Sequence, residues 1–302
     1  MPRSPPENRH LFILPTMSPY EYALVTPSFS KDLDRCTLLV ESVDRWVAPH
    51  VRHYLIIDRR DVHLFKPLAS SRTEILVVED IVPSWLIRLP GVRRFWLSLR
   101  TRPVKNWILQ QIVKLSIPSV IDADVLLYTD SDVFFVDRYE PRLFERDGRV
   151  PLFMEIGQRG KIANNDQWQG VASRLLGIPA QESCDTNFIG NAVCWRRDNA
   201  LSMLRRVEDH AGRSWPRAIA PLNGFSEYIL YGVYATRVLD AANSGHWADP
   251  VIRTHNYWRT APLGVAELEK FKAERVAHQY AVMISAKSGT KVEDIRRVYS
   301  VE

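Results

Sequence analysis

Asp130, Ser131 and Asp132 follow directly on the apolar run Val125–Thr129. A run of that length and character reads as a buried strand, so two carboxylates stand at its C-terminal tip with one small residue between them. Alternation along the strand sends Asp130 and Asp132 to the same side. In open α/β sheets that edge is where ligands bind. Paired hard oxygen donors suit Mg²⁺ or Mn²⁺, ions that combine a carboxylate or two with substrate phosphates. The same three residues also suit a polar, Asp-rich turn after a strand, and the pair alone does not choose between the two.

The elements around the tip follow from periodicity. Tyr22–Thr26 reads as a short buried strand stopping at Pro27-Ser28, and the next helix carries Cys36, Leu39, Val40, Val43 and Val47 at helical spacing. Tyr54–Asp58 and Glu74–Val78 read as a second and third strand, and residues 81–101, rich in Pro, Arg and Trp, as irregular. Asn106–Ile117 is predicted helical, with Ile108, Ile112 and Leu115 as its apolar stripe and Gln111 and Lys114 sharing a polar face. Further strands are predicted at Pro151–Glu155 and Phe188–Trp195, and helices at Gln167–Leu176 with Gly177 as its C-cap, from Asp198 to His210, and over Phe225–Tyr234. Strands alternating with helices predict an α/β fold with a mostly parallel, Rossmann-like central sheet flanked by helices. The chain reads as an extension over 1–19, a domain over 20–260, and a C-terminal helical extension over 261–302, helical from Val265 to Tyr280 and then polar.

Bulk composition narrows the classes. The 302 residues are 46% hydrophobic and 25% charged, with a net charge of +5, which suits one large globular domain. Of 40 basic residues 31 are Arg, a bias that fits an anionic substrate but equally a biased genome. No concentrated basic tract speaks for nucleic acid. Cys36, Cys184 and Cys194 are widely spaced, which argues against a disulfide framework or zinc site and for a reducing, cytoplasmic compartment. Peripheral contact with the inner face of a membrane stays open through Trp85–Arg88 and Arg93–Trp96.

The order of motifs adds a resemblance. Thr26-Pro27-Ser28-Phe29 after the first strand, Asn106-Trp-Ile-Leu-Gln-Gln-Ile-Val-Lys-Leu115 leading to Asp130-Ser131-Asp132, then Asn223-Gly-Phe-Ser-Glu-Tyr-Ile-Leu-Tyr-Gly232 and Arg253-Thr-His-Asn-Tyr-Trp258 stand in that order. This resembles the GT-A fold of nucleotide-sugar glycosyltransferases, and within it a poorly characterised bacterial glycosyltransferase-like family, over roughly Tyr20–Trp258. The resemblance implies a nucleoside-diphosphate sugar donor, UDP before GDP, and a glycan, lipid-linked or small-molecule acceptor.

Carried over residue by residue, the resemblance implies that Thr26, Pro27 and Ser28 face the nucleoside and that Asp58 meets base or ribose. Gln111, Lys114 and Ser131 join the nucleotide-facing set. Mn²⁺ or Mg²⁺ would sit on Asp130 and Asp132, with His255 as third ligand, although the Gly and Lys that follow this His in retaining relatives are absent; Arg253 or Arg259 could replace that Lys. Glu227, after the potential cap Ser226, is the expected general base of an inverting enzyme, with Asp185 as substitute.

Each position also has a plainer reading. Thr26–Ser28 makes an ordinary strand-end turn, Gln111 and Lys114 a solvated helix face, His255 a satisfied structural histidine, and Glu227 a helix-start carboxylate favoured by the dipole. Two rival functions remain. A haloacid-dehalogenase-type phosphatase would use Asp130 as nucleophile, but Phe134 stands where its signature wants Thr or Val, and the motif lies late in the chain. A non-catalytic scaffold that binds a sugar nucleotide is the other.

Overall fold

The computed structural model describes residues 20–89, 91–92, 95–181 and 184–300. The expected extension over 1–19, and Arg93 and Arg94 of the basic aromatic stretch, lie outside them. In chain order the strands are β1 (Tyr22–Ser28), β2 (Arg52–Ile57), β3 (Thr73–Val77), β4 (Leu86–Ile87), β5 (Phe95–Ser98), β6 (Val104–Lys105), β7 (Val125–Tyr128), β8 (Val133–Phe135), β9 (Val150–Phe153), β10 (Val193–Arg196), β11 (His246–Asp249), β12 (Thr254–Tyr257) and β13 (Ala281–Ile284). The helices are α1 (Leu33–Trp46), α2 (Val62–Phe65), α3 (Val78–Ile81), α4 (Asn106–Ser116), α5 (Asn165–Leu176), α6 (Arg197–Ala211), α7 (Trp215–Ile219), α8 (Glu227–Arg237), α9 (Asp240–Asn243), α10 (Val265–Ala273) and α11 (Val292–Tyr299).

The central sheet has the order β10-β7-β1-β2-β3. Four of its strands are parallel, and β10 runs antiparallel on the β7 edge. The expected α/β class with a mostly parallel sheet is what the structure shows. All four residues of β7 are buried, as expected of a strand covered on both faces. Alternation along β1 splits the core: Ala23 and Val25 join the cluster containing Ile108 and Ile112 of α4, while Tyr22 and Leu24 join Leu39 and Val43 of α1. The chain runs outward from β1 through β2 to β3, then crosses back through α4 to β7 on the other side of β1. The order therefore reverses between β1 and β7, and the crevice beyond such a reversal is where open α/β sheets bind ligands.

Several expected elements need correction. β1 continues through Pro27 to Ser28, because Pro27 lies in register with Ile56 inside the parallel ladder. Residues 81–101 contain β4 and β5, paired antiparallel. The strand expected over Phe188–Trp195 begins only at Val193. Phe188 instead packs on Gly232 of α8, where any Cβ would overlap its ring. Gly177 does close α5 in the left-handed region, φ 63°. The C-terminal segment is not a helical extension: α10 stops at Ala273, and the apolar run Ala281–Ile284 forms β13, parallel to β12 and antiparallel to β8. Within the basic aromatic stretch Trp96 is buried, with the Arg88 guanidinium 5.6 Å from its ring centroid, while Phe95 is exposed. Among the described residues no helix is long and apolar enough to cross a membrane.

Two buried histidines couple this core to pH. His53 Nε2 lies 3.0 Å from Thr26 Oγ1, and His246 Nε2 lies 2.6 Å from Tyr231 Oη. Burial, with Arg72 nearby, pushes His53 down to about 3, and burial, with Arg196 nearby, pushes His246 down to about 4. Below about pH 6.5 the unfolded chain binds protons that the folded one refuses, so stability falls with falling pH. The loss is exhausted near pH 4 for His246 and near pH 3 for His53. Urea unfolding is expected to show a loss of roughly 2 kcal/mol per histidine between pH 7 and 5. Asp132, whose carboxyl is pushed up to about 6, gains stability over the same window and offsets part of the loss. A net gain would contradict the neutral, buried state of both rings.

Candidate active site

The tip of β7 meets three elements that sequence distance hides. The α4 stripe Ile108, Ile112 and Leu115 is fully buried as expected. Gln111 and Lys114 are buried too, because the expected solvated face of α4 packs against α8. Lys114 Nζ lies 3.2 Å from Asp130 Oδ1, 3.1 Å from Glu227 Oε1 and 3.0 Å from Tyr228 Oη. It also sits 4.6 Å from the Tyr228 ring centroid. Burial alone would discharge this ammonium, but Asp130, Tyr228 and Glu227 together raise its pKa well above the usual lysine range. Gln111 Oε1 accepts the backbone N–H of Glu227 at 3.1 Å, and Ser226 Oγ accepts that of Ile229 at 3.4 Å. Ser226 is thus the N-cap of α8, and Gln111 engages an amide that helix starts leave without an internal partner.

The carboxylate pair faces three ways. Asp130 is the more exposed and carries Lys114 on one oxygen. Asp132 is largely buried, with Oδ2 accepting the Ala286 N–H at 3.0 Å. Burial first, and then the neighbouring charge of Asp130, pushes the Asp132 carboxyl up to about 6. Ser131 is buried and donates to Asp32 Oδ2 at 3.4 Å. Asp32, whose pKa is also raised by burial and in part by Asp130, is a site carboxylate with no local signal in the sequence. Asp32 and Asp132 share Arg35, whose guanidinium is anchored on the carbonyls of Ile284 and Thr290.

The other expected site residues scatter. Thr26 and Pro27 are buried within the sheet and Thr26 Oγ1 is engaged by His53; Ser28 ends β1 at the edge with its hydroxyl buried, beside the exposed Phe29. Asp58 ends β2 at the same edge, 3.3 Å from Arg60 and 3.9 Å from Arg88, its carboxyl pushed up by burial. Asp185 Oδ1 accepts the Arg159 N–H at 3.1 Å and ties two loops together. Arg253 is paired with Asp249, and Arg259 is exposed. His255 does not join the carboxylates. Its ring stacks on Phe271 of α10 at 3.9 Å, and β13 separates its strand from β8, an offset of two strand spacings, about 10 Å. Among the described residues no three His, Cys, Asp or Glu side chains are arranged to hold a metal ion.

The fold and site together define an α/β protein whose switch-point crevice carries a carboxylate pair backed by a buried ammonium. The chain belongs to DUF6492, a family of unknown function, which its sequence matches over residues 14–299. No curated protein matches it. Among solved structures it is similar to mouse xyloside xylosyltransferase 1 in its apo form, at 11% identity and TM-score 0.44, covering 88% of this chain and 98% of that one. It is also similar to the galactosyltransferase LgtC in complex with donor and acceptor sugar analogues, at 12% identity and TM-score 0.42, covering 92% and 95%.

Proposed function

We propose that the protein is a metal-dependent glycosyltransferase of the GT-A type, moving a sugar from a nucleoside-diphosphate donor to a hydroxyl acceptor. The observation that carries this is the convergence of Asp130, Asp132, Lys114 and the start of α8 at the β1/β7 reversal. The donor set fits a divalent cation. Among the described residues Asp130 Oδ2 and Asp132 Oδ1 have no hydrogen-bond partner, so these two oxygens would hold the ion together with diphosphate and water. The like-charge pressure on Asp132 is what a cation would relieve. When bound, that ion would supply charge neutralisation for the departing diphosphate.

This chain's own residues then have separate tasks. Lys114 holds Asp130 in place through one oxygen and leaves the other for the ligand shell. Glu227, committed to Lys114 in a buried ion pair, acts as a positioning residue rather than as the base expected from its place in the sequence. Ser28 and Asp58 line the same edge, where a nucleoside would lie across β1 and β2. UDP is the first candidate by analogy with the fold class. Calorimetry of UDP, GDP and ADP with and without Mn²⁺ tests the reading. UDP is expected to bind in a Mn²⁺-dependent way, and UDP-sugars to release UDP on incubation. Binding of adenine nucleotides alone, or diphosphate affinity indifferent to chelator, would overturn it.

A further inference from the structure

A cavity of about 340 Å³ lies beside the strand tip and contains none of its carboxylates. It is connected to the tip by register. Val193, which opens β10 opposite Tyr128, lines the cavity, as do Asn191 and Ala192 just before it. Ala192 holds φ 55°, in the left-handed region that side chains with a Cβ rarely adopt. Such backbone is retained where the surroundings fix it and is concentrated at ligand sites.

The lining states its own chemistry. Trp258, 62% exposed, and the half-buried Trp168 offer aromatic faces. Asn191 and Asn256 offer amides and Glu155 a carboxylate, while the buried Asn187 amide is taken up by Glu155 and the Ile189 backbone. Asn191 Nδ2 donates to Asn256 Oδ1 at 3.2 Å, and Asn187 Nδ2 donates to Glu155 Oε2 at 3.2 Å, which leaves Glu155 Oε1 without a hydrogen-bond partner among the described residues. The arginine in the wall, Arg253, is paired with Asp249, so it offers no unpaired positive charge to a phosphate or carboxylate. Aromatic planes for the C–H face of a ring, amides and a carboxylate for its hydroxyls, and no unpaired cation together select a neutral, hydroxyl-rich ligand. The volume is at the small end of ligand pockets, roughly 300–1,000 Å³, with room for one or two sugar rings.

We propose that this cavity is the acceptor site and that the acceptor is a neutral saccharide, stacked on Trp258 and Trp168 with one hydroxyl on Glu155. The word acceptor rests on the donor reading of the strand tip; the saccharide preference of the cavity does not.

Saturation-transfer NMR with lactose, maltose, xylobiose, mannobiose and chitobiose tests it, with glucose 6-phosphate and glucuronic acid as charged arms. UDP with Mn²⁺ is titrated calorimetrically into the same samples. At least one neutral disaccharide is expected to bind at millimolar concentration. Trp258→Ala and Glu155→Gln are each expected to weaken that binding at least fivefold while leaving UDP affinity unchanged. Trp258 is exposed, so its truncation leaves the core intact. Neutral sugars that fail to bind, a preference for the charged arms, or binding indifferent to both variants would overturn the cavity assignment even if UDP binds. Trp258-dependent sugar binding without any nucleotide binding would leave the cavity assignment standing and overturn the donor reading.

Discussion

Lys114→Met is expected to cost about 3–5 kcal/mol of folding stability, the loss typical of removing one partner from a buried ion pair. The methionine fills the apolar stem's space but leaves Glu227 and the Tyr228 hydroxyl buried without their cation. Asp130, more exposed, contributes less to that loss because solvent screens it. Urea unfolding measures the difference. Removing the stranded charge as well, in Lys114→Met/Glu227→Gln, is expected to recover at least half of it, since replacing both partners of a buried pair is far milder than replacing one. A single variant within 1 kcal/mol of wild type, by the same scale, would mean that the ammonium is not the hub of this cluster.

The second large effect separates stability from function at one residue. Asp132→Asn keeps the acceptor oxygen that Ala286 uses and removes the charge. On the glycosyltransferase reading it should lower turnover by about 10²–10³-fold, the equivalent of several kcal/mol of electrostatic stabilisation. The same substitution should raise stability at pH 7 by on the order of 2 kcal/mol. The sign follows from the raised pKa: above about 6 the folded state holds an ionised carboxylate that the unfolded chain would ionise more readily. Thermal unfolding without metal and a UDP-release assay measure the two halves. A variant that loses activity and stability together would point to a structural role for Asp132.

How much of this was legible in the sequence depends on the range of the interaction. The α4 stripe was legible, because helical spacing of Ile108, Ile112 and Leu115 is a local pattern. The Ser226 cap was legible for the same reason. The burial of Lys114 was not, since its partners stand 16 and 113 positions away and a lysine on a helix reads as solvated. Pro27 looked like a strand end because proline cannot donate to a ladder, yet the parallel pairing with β2 carries the strand past it. The run Ala281–Ile284 was visible as an apolar tetrapeptide, but nothing local says that it pairs with β8. Asp32, Glu155 and Asn187 gave no signal at all. Each is a lone polar residue that becomes part of a site only when the chain returns to it.

The position of β13 has a consequence for how the protein is made. Asp132 is held by backbone and side-chain bonds from Ile284 and Ala286, the latter 154 residues further along the chain. A nascent polypeptide that has emerged from the ribosome as far as residue 260 carries both carboxylates, the whole central sheet and α8, and still has one wall of its crevice missing. Loop closure over that span is slow relative to the local pairing of β1 with β2. Competence is therefore acquired late, when residues 281–286 thread in beside β8. Expression fragments trimmed after β12 would present the motif without the scaffold that orients it.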